Sequence, residues 1–192
     1  FSPDGSTLVY STEREGAWNI YFATTKNRKD DFVAEAAIVE KPMLPNSGIS
    51  RRSPQFSPDG KEVAYIEDKS LMVFNLKTKK VRCAVDKSLS NGVTAYCWSP
   101  DSKWFALVCN PNAHDSEVCL MRASGEGELL NITQSGYAEA SPRWVMEGNA
   151  LLFQTTRNGS YTHSRVGGSK TDAVMIVFLN RAAEERFRKT RR

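Results

Sequence analysis

The chain is poor in the residues that most catalytic and metal sites require. Its 192 residues include only two histidines, His114 and His163, and four scattered cysteines, Cys83, Cys97, Cys109 and Cys119. No C-x-x-C pair occurs, so a zinc set is not expected. No G-x-S-x-G nucleophile turn is present. Gly167-Gly-Ser-Lys-Thr171 falls short of a phosphate loop, which needs G-x-x-x-x-G-K-[ST], and reads as a glycine turn. His114-Asp115-Ser116 are adjacent in sequence, but catalytic triads are built by spatial adjacency, and no oxyanion device accompanies them. The acidic pairs Asp30-Asp31 and Glu184-Glu185 read as solvated, and no D-x-[DN]-x-[DN]-G calcium loop exists. No apolar run approaches the roughly 18 residues of a membrane-crossing helix. The expectation is a chain without catalytic, cofactor or metal residues of its own, with no membrane and no nucleic acid as partner.

Charge and cysteine usage sharpen this reading. The net charge is +4, and residues 181–192 (RAAEERFRKTRR) carry all of it, leaving the other 180 residues neutral. Nucleic-acid binders spread basic groups over a folded face. An excess confined to one terminal tail reads instead as a solvated helix end. Three of the four cysteines fall in apolar, strand-like runs, which favours buried free thiols, with a disulfide left open. Trp98 and Trp144 open repeated segments and are expected in the core.

What the sequence does contain is a repeat. Phe1-Ser-Pro-Asp-Gly5, Phe56-Ser-Pro-Asp-Gly60, Trp98-Ser-Pro-Asp-Ser102 and Trp144-Val-Met-Glu-Gly148 begin 55, 42 and 46 residues apart. Seven and nine positions after each opening aromatic comes an apolar pair: Leu8/Tyr10, Val63/Tyr65, Phe105/Leu107 and Leu151/Phe153. Ser-Pro-Asp-Gly is a turn in chemical terms. Proline presets φ, aspartate bonds nearby backbone, and glycine takes the left-handed conformation that closes a hairpin. Pro3, Asp4, Gly5, Pro58, Asp59, Gly60, Pro100, Asp101 and Gly148 are therefore assigned as structural turn residues.

The strands after these turns are apolar on both faces: LVY (8–10), VAYI (63–66), WFALVC (104–109) and ALLF (150–153). A strand apolar on both faces must be covered on both faces. A further strand follows each: NIYFATT (19–25), LMVFNL (71–76), EVCLMR (117–122) and DAVMIVF (172–178). VRCAV (81–85) and ELLNIT (128–133) fit weaker fourth strands. FVAEAAIV (32–39) fits an outer strand or a short helix, followed by a loop in KPMLPNSG. A helix is expected from Ala182 to about Lys189, capped by Asn180.

Four-strand units of about 40–45 residues indicate a β-propeller. The fold class is all-β: a β-propeller fragment of about three and a half four-stranded blades with a short C-terminal helix. Blades are expected at about 1–50, 51–90, 91–135 and 136–180, with 181–192 a basic helical tail. The first unit lacks an incoming strand and the last a fourth, so the rest of a parent chain is expected to complete the propeller.

These residues resemble a known family. FSPDG, QFSPDGK and WSPDSK are similar to the Pro-Asp repeat of TolB-type, WD-like propellers. Arg14-Glu-Gly16 and Arg157-Asn-Gly159, each thirteen residues after an opening aromatic, match the Arg-x-Gly turns of these repeats. GAWNIYFAT, QFSPDGKEVAYIED, LLNITQSGYAEASPRW and DAVMIVFLNRAAEERF resemble the N-terminal propeller of bacterial tricorn-like serine proteases. The departures are Ser102 for glycine, Met146-Glu147 for Pro-Asp, and a more basic tail. The resemblance implies a non-catalytic segment that gates or positions peptide substrates, with the catalytic serine and histidine in domains outside this chain. It also favours an exported or periplasmic location. The competing expectation is a TolB-like platform that docks protein partners.

Overall fold

The computed structural model describes residues 1–25, 37–110, 115–157 and 173–190. His114, His163, Asp30-Asp31, most of FVAEAAIV and the Gly167–Thr171 stretch lie outside the described residues. The chain divides into two compact units, Phe1–Lys87 and Ser88–Arg192.

The first unit holds two antiparallel sheets. One is β1 (Thr7–Thr12), β2 (Asn19–Thr25) and β3 (Ile38–Pro42), in that order. The other is β4 (Arg51–Phe56), β5 (Glu62–Glu67), β6 (Ser70–Asn75) and β7 (Val81–Val85). The second unit repeats the plan. One sheet is β8 (Ala95–Trp98), β9 (Trp104–Cys109), β10 (Glu117–Arg122) and the two-residue β11 (Leu130–Asn131). The other is β12 (Glu139–Val145), β13 (Ala150–Thr155) and β14 (Ala173–Phe178). A single-turn helix α1 (Lys87–Ser90) and the C-terminal α2 (Arg181–Lys189) complete the described residues.

Continuous burial explains why these strands lack polar alternation. In β5, Val63, Ala64 and Tyr65 are consecutive and buried, and in β9 the five residues Phe105 to Cys109 are. In the first unit Val9 and Ile20 from one sheet meet Val63, Tyr65 and Phe74 from the next. In the second, Ala106 and Leu120 meet Leu151 from the neighbouring sheet. Each sheet thus supplies the cover that its neighbour's apolar face requires. Within each unit one backbone bond ties the sheets: Arg51 N to Trp18 O in the first and Glu139 N to Ser116 O in the second, both 2.8 Å.

Several expectations change in detail. Among the described residues the outer strand of the first sheet is Ile38–Pro42, which shares Ile38 and Val39 with the apolar 32–39 stretch. All five of its residues are exposed, so pairing with β2 and not burial places it. ELLNIT contributes only Leu130 and Asn131 to a strand. Helix α2 starts one residue earlier than expected, and Asn180 Oδ1 accepts from Ala183 N at 2.9 Å. Phe187 packs on Phe178 with ring centroids 5.3 Å apart, fixing the helix to β14.

Ser-Pro pairs kink two strands identically. Ser53 (φ 55°) precedes Pro54 in β4, and Ser141 (φ 51°) precedes Pro142 in β12. The pairing register shifts at both places, between Arg52 and Gln55 and between Ala140 and Arg143. Proline cannot donate to the ladder, so a bulge is the conformation that accommodates it.

Candidate functional site

The strand ends carry two different chemistries. At one end lie the Pro-Asp turns. Gly60 N bonds Ser57 O at 2.9 Å, Gly5 N bonds Ser2 O at 2.8 Å, and Ser102 N bonds Ser99 O at 2.9 Å. Each aspartate then reaches both sides of its turn. Asp59 Oδ1 accepts from Ser57 Oγ (2.7 Å) and Lys61 N (3.1 Å). Asp101 accepts from Ser99 Oγ (2.5 Å) and Lys103 N (3.1 Å), and Asp4 from Ser2 Oγ (2.6 Å) and Ser6 N (3.1 Å).

The serine was not among the assigned turn residues, yet it links the turn to the outgoing strand. Ser2, Ser57 and Ser99 each accept the backbone N–H of the residue five positions on, at 2.9, 3.0 and 2.9 Å. Its invariance across three repeats was the available signal. In the fourth unit Met146, Glu147 and Gly148 all take positive φ, and a 3₁₀ turn replaces the motif.

Successive turns also touch within each unit. A Cβ on Gly60 would lie 3.5 Å from Pro3 Cδ, and one on Gly148 would lie 3.4 Å from Pro100 Cδ. Glycine is needed here for φ (+70° at Gly60) and for close approach. Gly60→Ala is expected to cost about 1–2 kcal/mol, from the left-handed backbone alone. Urea unfolding measures it, and an unchanged midpoint would contradict the assignment. Beside the second unit's turns lies a cleft of about 470 Å³, lined by Pro100, Asp101, Trp104, Trp144, Glu147 and Leu179, among others. Trp104 and Trp144 therefore belong partly to a surface, whereas Trp98 is buried against Phe105 at 4.2 Å.

At the opposite strand ends lie buried polar groups. In the first unit the Arg51 guanidinium pairs with Glu67. It also donates to Pro45 O (2.8 Å), Ser47 Oγ (3.0 Å) and Asn19 Oδ1 (3.2 Å). In the second unit the equivalent position is Glu139, since each residue opens its strand and makes the same backbone bond. Glu139 Oε1 accepts from Ser135 Oγ (2.6 Å) and Thr155 Oγ1 (3.1 Å). Nearby, Glu117 accepts from Thr133 Oγ1 and from the N–H groups of Ser135 and Gly136, both 3.0 Å from its Oε1. None of these four residues, Arg51, Glu67, Glu117 and Glu139, stood out in the sequence.

Arg14, noted as part of an Arg-x-Gly turn, lies over the Tyr21 ring (4.5 Å to the centroid) and beside Tyr10 (5.8 Å). It holds both oxygens of Glu40 at 2.8 and 3.2 Å. Arg157 of the second such turn lies over Tyr137 at 5.9 Å. Hydrogen bonds from Arg14 and Tyr10 lower the Glu40 carboxyl from 4.5 to about 2. Those from Ser2 and Ser6 lower Asp4 from 3.8 to about 2. Asp101 is lowered by Ser99 and Lys103; at Asp59 burial pushes upward, but bonds from Ser57 and Lys61 prevail and the net direction is down. A depressed folded pKa stabilises above the unfolded value and is lost as pH falls through the folded one. Thermal midpoints should thus hold steady above about pH 5 and decline between about pH 4.5 and 2. Glu40→Gln should remove part of that decline.

The thiol expectation is corrected in part. Cys109 and Cys119, on paired strands with Cα atoms 6.5 Å apart, form a disulfide. Cys83 is free and exposed, since its side of β7 faces outward. Cys97 is free and partly buried, and burial pushes its thiol up to about 11. Among the described residues no group of three or more His, Cys, Asp or Glu could hold a metal, and no helix is long and apolar enough to cross a membrane.

No protein-family model matches the chain. It is 24% identical over 165 residues to a protein of Sulfurisphaera tokodaii described as a tricorn-like protease C-terminal subunit, covering 85% of this chain and 17% of that protein. It is 28% identical over 111 residues to a tricorn protease homolog of Saccharolobus solfataricus, covering 57% and 10%. Among solved structures, TolB from Acinetobacter baumannii superposes with a TM-score of 0.61 at 20% identity, covering 91% of this chain and 39% of that one. The chain thus spans less than a fifth of the curated relatives it matches. Four antiparallel sheets, repeated Pro-Asp turns and this superposition define the class: a TolB-like β-propeller segment. Within that class its sequence likeness is to tricorn-type proteases.

Proposed function

We propose that this chain is the non-catalytic propeller segment of a bacterial tricorn-like serine protease, where it gates or positions peptide substrates for catalytic residues elsewhere in the parent protein. The observation that carries the reading is the likeness to a tricorn-like protease along 85% of the chain. The cleft formed by Trp104 and Trp144, rimmed by Asp101 and Glu147, supports it, because aromatic faces flanked by carboxylates suit extended peptides with basic side chains. The proposal includes blades at about 1–50, 51–90, 91–135 and 136–180, the nine turn residues as structural hairpin closers, and residues 181–192 as a basic tail. It also includes an exported or periplasmic location.

The test compares the parent protease with a version carrying Trp104→Ala and Trp144→Ala. Cleavage of an unstructured polypeptide should change at least tenfold, while a fluorogenic tetrapeptide, small enough to need no steering, is turned over within twofold of the original rate. Equal effects on both substrates would remove the positioning role. A parent protein without protease activity that instead retains defined protein partners would favour a docking platform.

A further inference from the structure

We propose that the cleft beside Trp104 and Trp144 is a binding site for a proline-rich peptide segment that carries a basic side chain. The inference rests on the peptide-positioning role proposed above and narrows its substrate class. The first unit provides the internal reference. There Val9 and Phe22 stand at the corresponding strand positions, and the Phe22 ring meets that of Phe56 with centroids 6.1 Å apart. In the second unit those strand positions hold the smaller Ala106 and Leu120. Trp144 stands at the repeat position of Phe56, and Trp104 at that of Thr7. Less volume between the sheets and more ring surface next to the turns accompany a cleft of about 470 Å³. That lies within the range of about 300–1,000 Å³ usual for ligand sites. Both rings are held in place: the Arg122 guanidinium lies over Trp104 at 4.8 Å from its centroid, and Trp144 Nε1 donates to Cys97 O at 3.4 Å. A preset aromatic surface loses little entropy when it binds.

The polar side chains left over define the occupant. Ser99 donates to Asp101 and accepts from Trp104 N. Asp101 also accepts from Lys103 N, and the Lys103 side chain offsets its charge. Asn149 donates to Met146 O and accepts from Asn180. Two side-chain groups of the lining remain: the Trp104 indole N–H and the exposed Glu147 carboxylate, neither of which has a partner among the described residues. The occupant therefore brings one acceptor and one cation, and otherwise meets the apolar surface of Pro100, Leu120, Trp144 and Leu179. Most N–H groups of an ordinary peptide would lose water against that surface without gaining an acceptor, at about 1–3 kcal/mol each. Proline has no N–H, and its carbonyl accepts from an indole. Its extended helix exists before binding, and such segments dock in aromatic-lined grooves. An arginine or lysine beside the prolines supplies the cation for Glu147.

The test titrates the whole 192-residue chain with capped synthetic peptides of about ten residues, followed by tryptophan fluorescence and calorimetry. A polyproline peptide containing one arginine should bind with a Kd of about 10⁻³ M or tighter. Replacing its prolines by alanine should weaken binding about tenfold or more, and replacing its arginine by the neutral isostere citrulline about threefold or more. Glu147→Gln should hold the arginine peptide only as well as the original chain holds the citrulline one, and should leave the citrulline affinity unchanged, which assigns the pairing to that carboxylate. Trp104→Phe, which keeps a ring and removes the N–H, should weaken both proline peptides about threefold or more. Absence of binding by the original chain at about 10 mM peptide overturns the proposal without reference to any variant. So does equal binding of the proline and alanine peptides, a result that leaves the wider positioning role standing. The expected pattern in a chain whose parent protein lacks protease activity would instead remove that role and keep this site.

Discussion

Arg51→Ala will destabilise the first unit by about 3–5 kcal/mol, measured as a lowered urea midpoint at constant m. The Arg51 side chain is 9% exposed and its partner Glu67 20%, so water substitutes poorly for either. Alanine would leave the Glu67 carboxylate without its cation and the Pro45 carbonyl and Ser47 hydroxyl without the guanidinium donors they now accept. The loop between β3 and β4 would lose its attachment at the same time, because Pro45 and Ser47 sit in it. Most of the loss is the penalty of an uncompensated buried charge and not the worth of the pair itself. Arg51→Met combined with Glu67→Leu, which removes both charges and keeps volume, should therefore recover most of the stability. If the double variant is as unstable as Arg51→Ala, the pair is favourable in itself and the argument from desolvation fails.

Phe105→Ala in the second unit should cost a further separate 3–5 kcal/mol, or about 10 °C in thermal midpoint, on the scale usual for a fully buried phenylalanine. Phe105 is wholly buried, packs on Trp98 at 4.2 Å and meets Tyr96 edge-on at 5.8 Å. Its strand neighbours Ala106 and Leu107 are also fully buried, which leaves little freedom to collapse into the cavity. Phe105→Leu, which keeps much of the volume, should cost about 1–2 kcal/mol. Equal losses in the two variants would mean that the aromatic contacts with Trp98 and Tyr96, and not the filled volume, hold this sheet together.

The two predictions address features of unequal legibility. Phe105 could be picked out before any coordinates, because its column repeats: Leu8, Val63, Phe105 and Leu151 stand at one spacing from an opening aromatic. The alternation of strands and the doubly apolar character of β5 and β9 follow from the same local arithmetic. So does α2, since an asparagine cap and a short amphipathic run are contained within ten residues. Arg51 and Glu139 could not be singled out this way. Each is an ordinary charged residue in an ordinary-looking segment, and beside partners 4 to 6 positions away it needs others 16 to 32 positions away, in different strands.

Chain-local chemistry was therefore sufficient for the repeat, its strand-forming runs and the all-β class, because turn geometry and two-sided apolarity are properties of a few consecutive residues. The Cys109–Cys119 bond, the pairing of the exposed strand Ile38–Pro42 with β2 and the exchange of a buried cation for a buried anion came from folding alone. These depend on which strands lie side by side and at what register, and nothing within any one of the segments encodes that.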